Sequence, residues 1–249
     1  MIATLTLWTH ALAALLFGAL ALWAWQRKEG GVPRRPLAFA LAMTALWALS
    51  VAGIGGAETG TRIAEALRNL SWLGFMILLH RRDGNVRPPV ALGTVYGVVA
   101  LVSVASVILH IVGASEGVAS NDILTAALLL RMLVAVAALV LIRALYSAIE
   151  GAGVGLRWIV LAMGGLWFLD FNVLAAAYLT ASWPLELIAL RGFGAIVLAA
   201  AMAAALNRKD DWNVQVSRTV AYQSMSLVAV GAYFALLALV SSAIATIGG

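Results

Sequence analysis

Eight apolar stretches follow one another along this chain, separated by short polar breaks, and each approaches the roughly 17 to 25 residues at which a helix crosses a bilayer. Hydrophobic residues fill 63% of the 249 positions and charged ones 11%. With a mean hydropathy of +1.00, the chain belongs with polytopic membrane proteins rather than soluble domains. The expected fold is all-α, a polytopic transmembrane helical bundle of about eight spans. It forms a single integral-membrane domain over residues 1–249, with no soluble domain, internal repeat or long linker. The lipid bilayer is therefore the first partner. Nucleic acid is not expected, because the pI of about 10.1 arises from basic residues held in short loops between apolar runs.

The spans are expected at about Leu5–Trp25, Leu37–Gly55, Ile63–Leu79, Pro88–Val112, Asp122–Ile149, Leu156–Leu179, Leu185–Leu206 and Val220–Ile247, with Asn121 or Asp122 capping the fifth. The first run is too long for a signal-peptide core and no basic residue precedes it, so it reads as an uncleaved span. Twelve of the 16 Lys and Arg residues fall in or beside the breaks after the first, third, fifth and seventh runs, whereas the clear breaks on the other side hold only Arg62. Basic residues stay cytoplasmic, so an even number of spans leaves both termini outside. Trp8 and Trp183 suit the outer interface, and Trp25, Trp158 and Trp212 the inner one.

Charges deep inside the runs carry the chemistry. Glu65, Arg68 and Asn69 stand at i, i+3 and i+4 on one face of the third span, and Arg131, Asp170 and Arg191 interrupt the fifth, sixth and seventh. A charge at mid-membrane costs about 3 kcal/mol on insertion scales, so these side chains must face the protein interior or water. The arginines lie roughly 8 to 14 Å deep at 1.5 Å per residue, and Asp170 reaches a similar level from the other side. Spans three, five, six and seven are therefore expected to enclose a polar interior, with spans one, two, four and eight facing lipid.

Two readings of this cluster stand side by side. In one, Glu65 and Asp170 pair with two of the arginines and lock four helices together. In the other, three arginines against two carboxylates leave one positive charge over, and an anionic ligand sits among Glu65, Arg68, Asn69, Arg131, Asp170 and Arg191, since guanidinium forks match carboxylate and phosphate. A proton or ion path is a further use of the same residues. Trp47, Trp72 and Trp167 read as packing ahead of pocket walls, and His10 and His110 as solvated side chains near the outer surface.

Other chemistries lack their residues. The three histidines show no metal-ligand spacing, there is no cysteine, and the turn holding Gly151, Gly153 and Gly155 lacks the Lys-Ser/Thr of a phosphate loop. No metal or cofactor is expected. Retinal linked as a Schiff base is excluded, because the only lysines, Lys28 and Lys209, lie in loops. Asp170 is the only aspartate deep in a span, which leaves no paired-Asp, Ser-His or HExxH set for intramembrane hydrolysis. No catalytic residue is assigned.

The stretches Glu65-Ala-Leu-Arg-Asn-Leu-Ser-Trp72, Gly164-Gly-Leu-Trp-Phe-Leu-Asp170, Arg191-Gly192 and Asn207 to Arg218, with Trp212 and Ser217-Arg218, together resemble the amino-terminal membrane region of the PrsK sensor histidine kinases. These belong to the PEP-CTERM/exosortase system of Gram-negative bacteria. The resemblance runs through essentially the whole chain in order and spacing. It implies an inner-membrane input module for two-component signal transduction. Such a module controls an appended or separate cytoplasmic kinase region and, through a response regulator, genes for exopolysaccharide and sorted surface proteins. A homodimer is compatible with it. The chain departs from the pattern at its end, where a further span, a GAF-like domain, a phosphoacceptor-histidine helix pair and an ATP-binding domain would follow, so no kinase activity is expected of residues 1–249. The reading from another class is a small ion-coupled transporter or permease using Arg131 and Asp170. Broken helices or paired repeats would mark a transporter, and the sequence shows neither.

Overall fold

A computed structural model of the protein describes residues 1–26, 33–81, 90–115, 121–149 and 153–207. Seven helices fill these segments: α1 (Ile2–Gln26), α2 (Arg34–Ile54), α3 (Thr59–Arg81), α4 (Val90–Ser115), α5 (Asn121–Ala148), α6 (Val154–Thr180) and α7 (Leu185–Leu206). No strand occurs among the described residues. The eighth span expected at Val220–Ile247, and the turn at Gly151, lie outside them.

Six of the helices, all but α3, are long and apolar enough to cross a membrane. The 23-residue α3 matches them in length, but Arg62, Glu65 and Arg68 lower its hydropathy. It begins at Thr59, four residues before the expected start, after a turn built on Gly55. Gly55 has φ 100°, a conformation that favours glycine, and its carbonyl accepts a hydrogen bond from Thr61 Oγ1 at 2.7 Å. That early start puts Arg62 on the helix and not in a loop.

Consecutive helices pack side by side, and α7 returns to α1, closing a ring in chain order. Short connections make the neighbours antiparallel, so α1, α3, α5 and α7 all begin at one end of the bundle. Gly192 allows the closing contact. A Cβ at this position would meet Thr9 Oγ1 and come within 2.6 Å of His10 Nδ1, so a larger residue would hold α7 away from α1. Away from the charges the interior is apolar, with Phe17, Leu41, Phe75, Met76, Leu141 and Met163 buried. The outside carries exposed Leu15, Leu22, Leu49, Leu101 and Leu179, a surface that suits hydrocarbon rather than water.

The ring corrects one expectation. The first, second and fourth helices do not simply face lipid: α1 buries His10, α2 buries Thr44 and Trp47, and α4 buries Ser103 and Ser106. Every helix of a closed ring has an inward stripe. These inward residues of α1, α2 and α4 are hydroxyl or aromatic side chains, so no charge in the sequence marked them.

Candidate functional site

The interior charges are organised by α3, whose Arg62, Glu65 and Asn69 recur at i, i+3 and i+7 along one stripe. Glu65 Oε1 accepts from Arg191 Nη2 at 3.0 Å, while Oε2 accepts from Arg131 Nη2 at 2.5 Å and from Arg62 Nη1 at 3.4 Å. Asp170 Oδ2 accepts from Arg68 Nη2, and its Oδ1 lies 2.7 Å from Arg191 Nη2. Arg191 thus touches both carboxylates. Asn69 Oδ1 accepts from Arg68 Nη2 at 2.9 Å and from Trp167 Nε1 at 3.1 Å, tying α3 to α6 a second time. These bonds reach across the middle of the ring. They join α3 to α5, α6 and α7, helices that are not its side-by-side partners, α2 and α4.

Two tryptophan rings complete the cluster. Trp47 on α2 has the guanidinium carbons of Arg68 and Arg191 at 4.4 and 4.3 Å from its ring centroid. Trp183, in the turn before α7, has those of Arg62 and Arg131 at 4.2 and 5.8 Å. A guanidinium over an indole face is attracted by the ring quadrupole, by about 2 kcal/mol or more when desolvated. Trp47 and Trp167 are therefore partners of the polar layer and not plain packing. Trp72 Nε1 donates to Thr44 Oγ1 at 2.9 Å, so it too has a polar role. His10, expected in solvent, is fully buried edge-on to Trp47 at 5.7 Å, with Nδ1 2.9 Å from the carbonyl of Thr6. Its position on the inward stripe of α1, about two turns below the helix start at Ile2, places it there.

All six residues singled out from the sequence meet in this layer: Glu65, Arg68, Asn69, Arg131, Asp170 and Arg191. The pairing differs from the simplest expectation of one arginine to each carboxylate. Glu65 holds three arginines and Asp170 two. Arg62, read as an outer-loop residue, belongs to the cluster and is 3% exposed. Its i, i+3 spacing to Glu65 was the signal that could have found it. The charge left over is consequently larger than one: four guanidiniums face two carboxylates, a formal excess of +2. The carboxylates cannot satisfy every donor. Among the described residues Arg62 Nε and Nη2, Arg68 Nη1 and Arg191 Nε are buried without a hydrogen-bond partner, as is Asp170 Oδ1, which meets Arg191 as an ion pair only.

Two cavities adjoin these groups. A small one of about 20 Å³ is walled by Arg62, Glu65, Asn69, Arg131, Trp167 and Asp170, with Ser103, Ser106 and His110 of α4 on the opposite side. It holds one water-sized group. A larger one of about 280 Å³ lies between the start of α5 and the end of α6, against Leu124, Leu128, Tyr178 and Trp183. His110 and Arg131 border both. The larger cavity is mostly apolar and meets the charged layer at these two residues. No protein-family model, curated protein or solved structure matches this chain.

Proposed function

We propose that this chain is a membrane-embedded sensory domain and that an anion bound in its polar interior is the signal. The observation that carries the reading is the excess of guanidinium over carboxylate in a buried layer that joins four helices. A purely structural lock needs matched charges, because an unmatched buried charge is costly. An anion supplies the match. It also supplies a switch: a ligand that binds one arrangement of α3, α5, α6 and α7 more tightly than another shifts the population between them, whereas equal affinity shifts nothing.

In this proposal α3 is a span like its neighbours, Val220–Ile247 forms an eighth, and the protein sits in a bacterial inner membrane with its amino terminus in the periplasm. The sequence resemblance to the PrsK kinases supplies the output. Helix rearrangement is passed to a cytoplasmic kinase region and response regulator controlling exopolysaccharide and PEP-CTERM/exosortase genes, with no catalysis by this chain itself. The seven described helices run unbroken, which favours sensing over an ion-coupled permease, whose sites are built on interrupted helices.

Two measurements on Asp170→Asn separate these classes. Transcript levels of exopolysaccharide genes that change in cells carrying the variant, with no flux by wild-type protein in proteoliposomes, support the sensor. Substrate or proton flux by the wild type that Asp170→Asn abolishes reverses the reading in favour of the permease.

A further inference from the structure

The ligand of this site can be narrowed by charge and shape, taking the anion-binding reading above as the premise. Arg62 and Arg131 border the small cavity, Arg62 is nine-tenths buried or more, and two of its donors, Nε and Nη2, have no hydrogen-bond partner among the described residues. The cluster carries a formal excess of +2. A carboxylate, a sulfate ester or a phosphodiester brings one negative charge and leaves half of that excess. A phosphate monoester brings about −1.5 to −2 at neutral pH, with three terminal oxygens as acceptors for several guanidinium donors at once.

The cavity beside Arg62 and Arg131 is too small for more than one oxygen of such a group, so the rest of the ligand must occupy the 280 Å³ vestibule that shares Arg131 and His110 with it. That vestibule is dressed for an apolar body. Leu124 and Leu128 of α5 line it with Ala177 and Tyr178 of α6 and with Trp183, whose ring also meets Arg62 and Arg131, while Thr125 and Ser182 add hydroxyls.

We infer that the site takes an amphiphilic phosphate monoester, its phosphate held by Arg62 and Arg131 and its apolar portion in the vestibule between α5 and α6. The phosphate chemistry is shared by lipids and by soluble phosphate esters, and the apolar walls favour the lipid.

The test uses the full chain in nanodiscs of neutral phosphatidylcholine, with binding read from tryptophan fluorescence and native mass spectrometry. Four probes are compared: phosphatidic acid as the lipid monoester, phosphatidylglycerol as a lipid diester of the same chain length, and glycerol 3-phosphate and inorganic phosphate added in water. The inference predicts saturable binding of phosphatidic acid at least tenfold tighter than of phosphatidylglycerol, and weak binding of the two soluble probes. Arg131→Gln should weaken phosphatidic acid at least tenfold. Since that variant also disturbs the ion pairs, Leu128→Trp is the second one: it narrows the apolar vestibule while keeping every charged side chain, and should weaken the lipid at least tenfold. Equal binding of the two lipids overturns the monoester assignment but leaves an anion site. Glycerol 3-phosphate binding as tightly as phosphatidic acid, or Leu128→Trp without effect, overturns the apolar body. No binding of any probe overturns the monoester, and native spectra of the protein extracted without added lipid then show whether a different anion occupies the site or none does.

Discussion

Replacing Glu65 with Gln removes the one side chain to which Arg62, Arg131 and Arg191 all donate, and so tests whether charge holds the ring together across its centre. The change is nearly isosteric, so packing is preserved and the effect is electrostatic. In the variant Asp170 remains as the single carboxylate against four guanidiniums, and the formal excess rises from +2 to +3. Breaking a buried pair by removing one partner costs about 3 to 5 kcal/mol. For a domain of this size each kcal/mol moves the melting temperature by about 2 to 4 °C, which gives a drop of roughly 6 to 20 °C. The assay is thermal unfolding in a fixed detergent, followed by intrinsic tryptophan fluorescence, for which Trp47, Trp167 and Trp183 are reporters inside the cluster. The companion is Glu65→Gln with Arg131→Gln, which returns the excess to +2. It should recover part of the loss, with a coupling of about 0.5 to 3 kcal/mol as found for residues in one network. A Glu65→Gln protein that melts within about 2 °C of the wild type refutes the reasoning, because a carboxylate bonded to three arginines would then contribute nothing measurable.

Other outcomes follow from single contacts. Trp47→Leu removes the ring that two guanidiniums share and should lower stability by about 1 to 4 kcal/mol, with Trp47→Phe closer to the wild type; denaturant or thermal unfolding reads both. Gly192→Ala places a methyl group against Thr9 and His10, so it should cost about 1 to 3 kcal/mol, part of which His10→Ala restores in the double variant. A protein without cysteine accepts single labels cleanly. Ala57→Cys in the exposed α2–α3 turn should react with an impermeant thiol reagent in intact cells and Gly31→Cys should not, and the opposite pattern reverses the orientation.

What the sequence made legible was what charge and length can mark. Long apolar runs gave α1 to α7 to within a few residues at most ends, because a helix in lipid has to be apolar and about as long as the bilayer is thick. Glu65, Arg68, Arg131, Asp170 and Arg191 were expected to meet because each alone would be too costly in hydrocarbon, and they do meet. The partner choice was not legible. Arg68 follows Glu65 by three residues yet donates to Asp170 on α6, a preference fixed by where α6 passes and not by spacing. Arg62 was missed because a basic residue near a helix start looks the same whether it reaches water or turns inward. Trp47, Trp183, Ser103 and Ser106 were missed as parts of the site because aromatic and hydroxyl residues are tolerated on either face of a membrane helix, and ring closure decides which face points in.

The central claim is that the buried excess of positive charge binds an anion, and native mass spectrometry of the protein extracted from its own membranes tests it most directly. The account predicts that the wild type retains one anionic molecule per chain and that Arg62→Gln combined with Arg131→Gln emerges at its bare mass while keeping its helical content. Wild-type protein that is folded and emerges at its bare mass from every extraction, just as the double variant does, contradicts it.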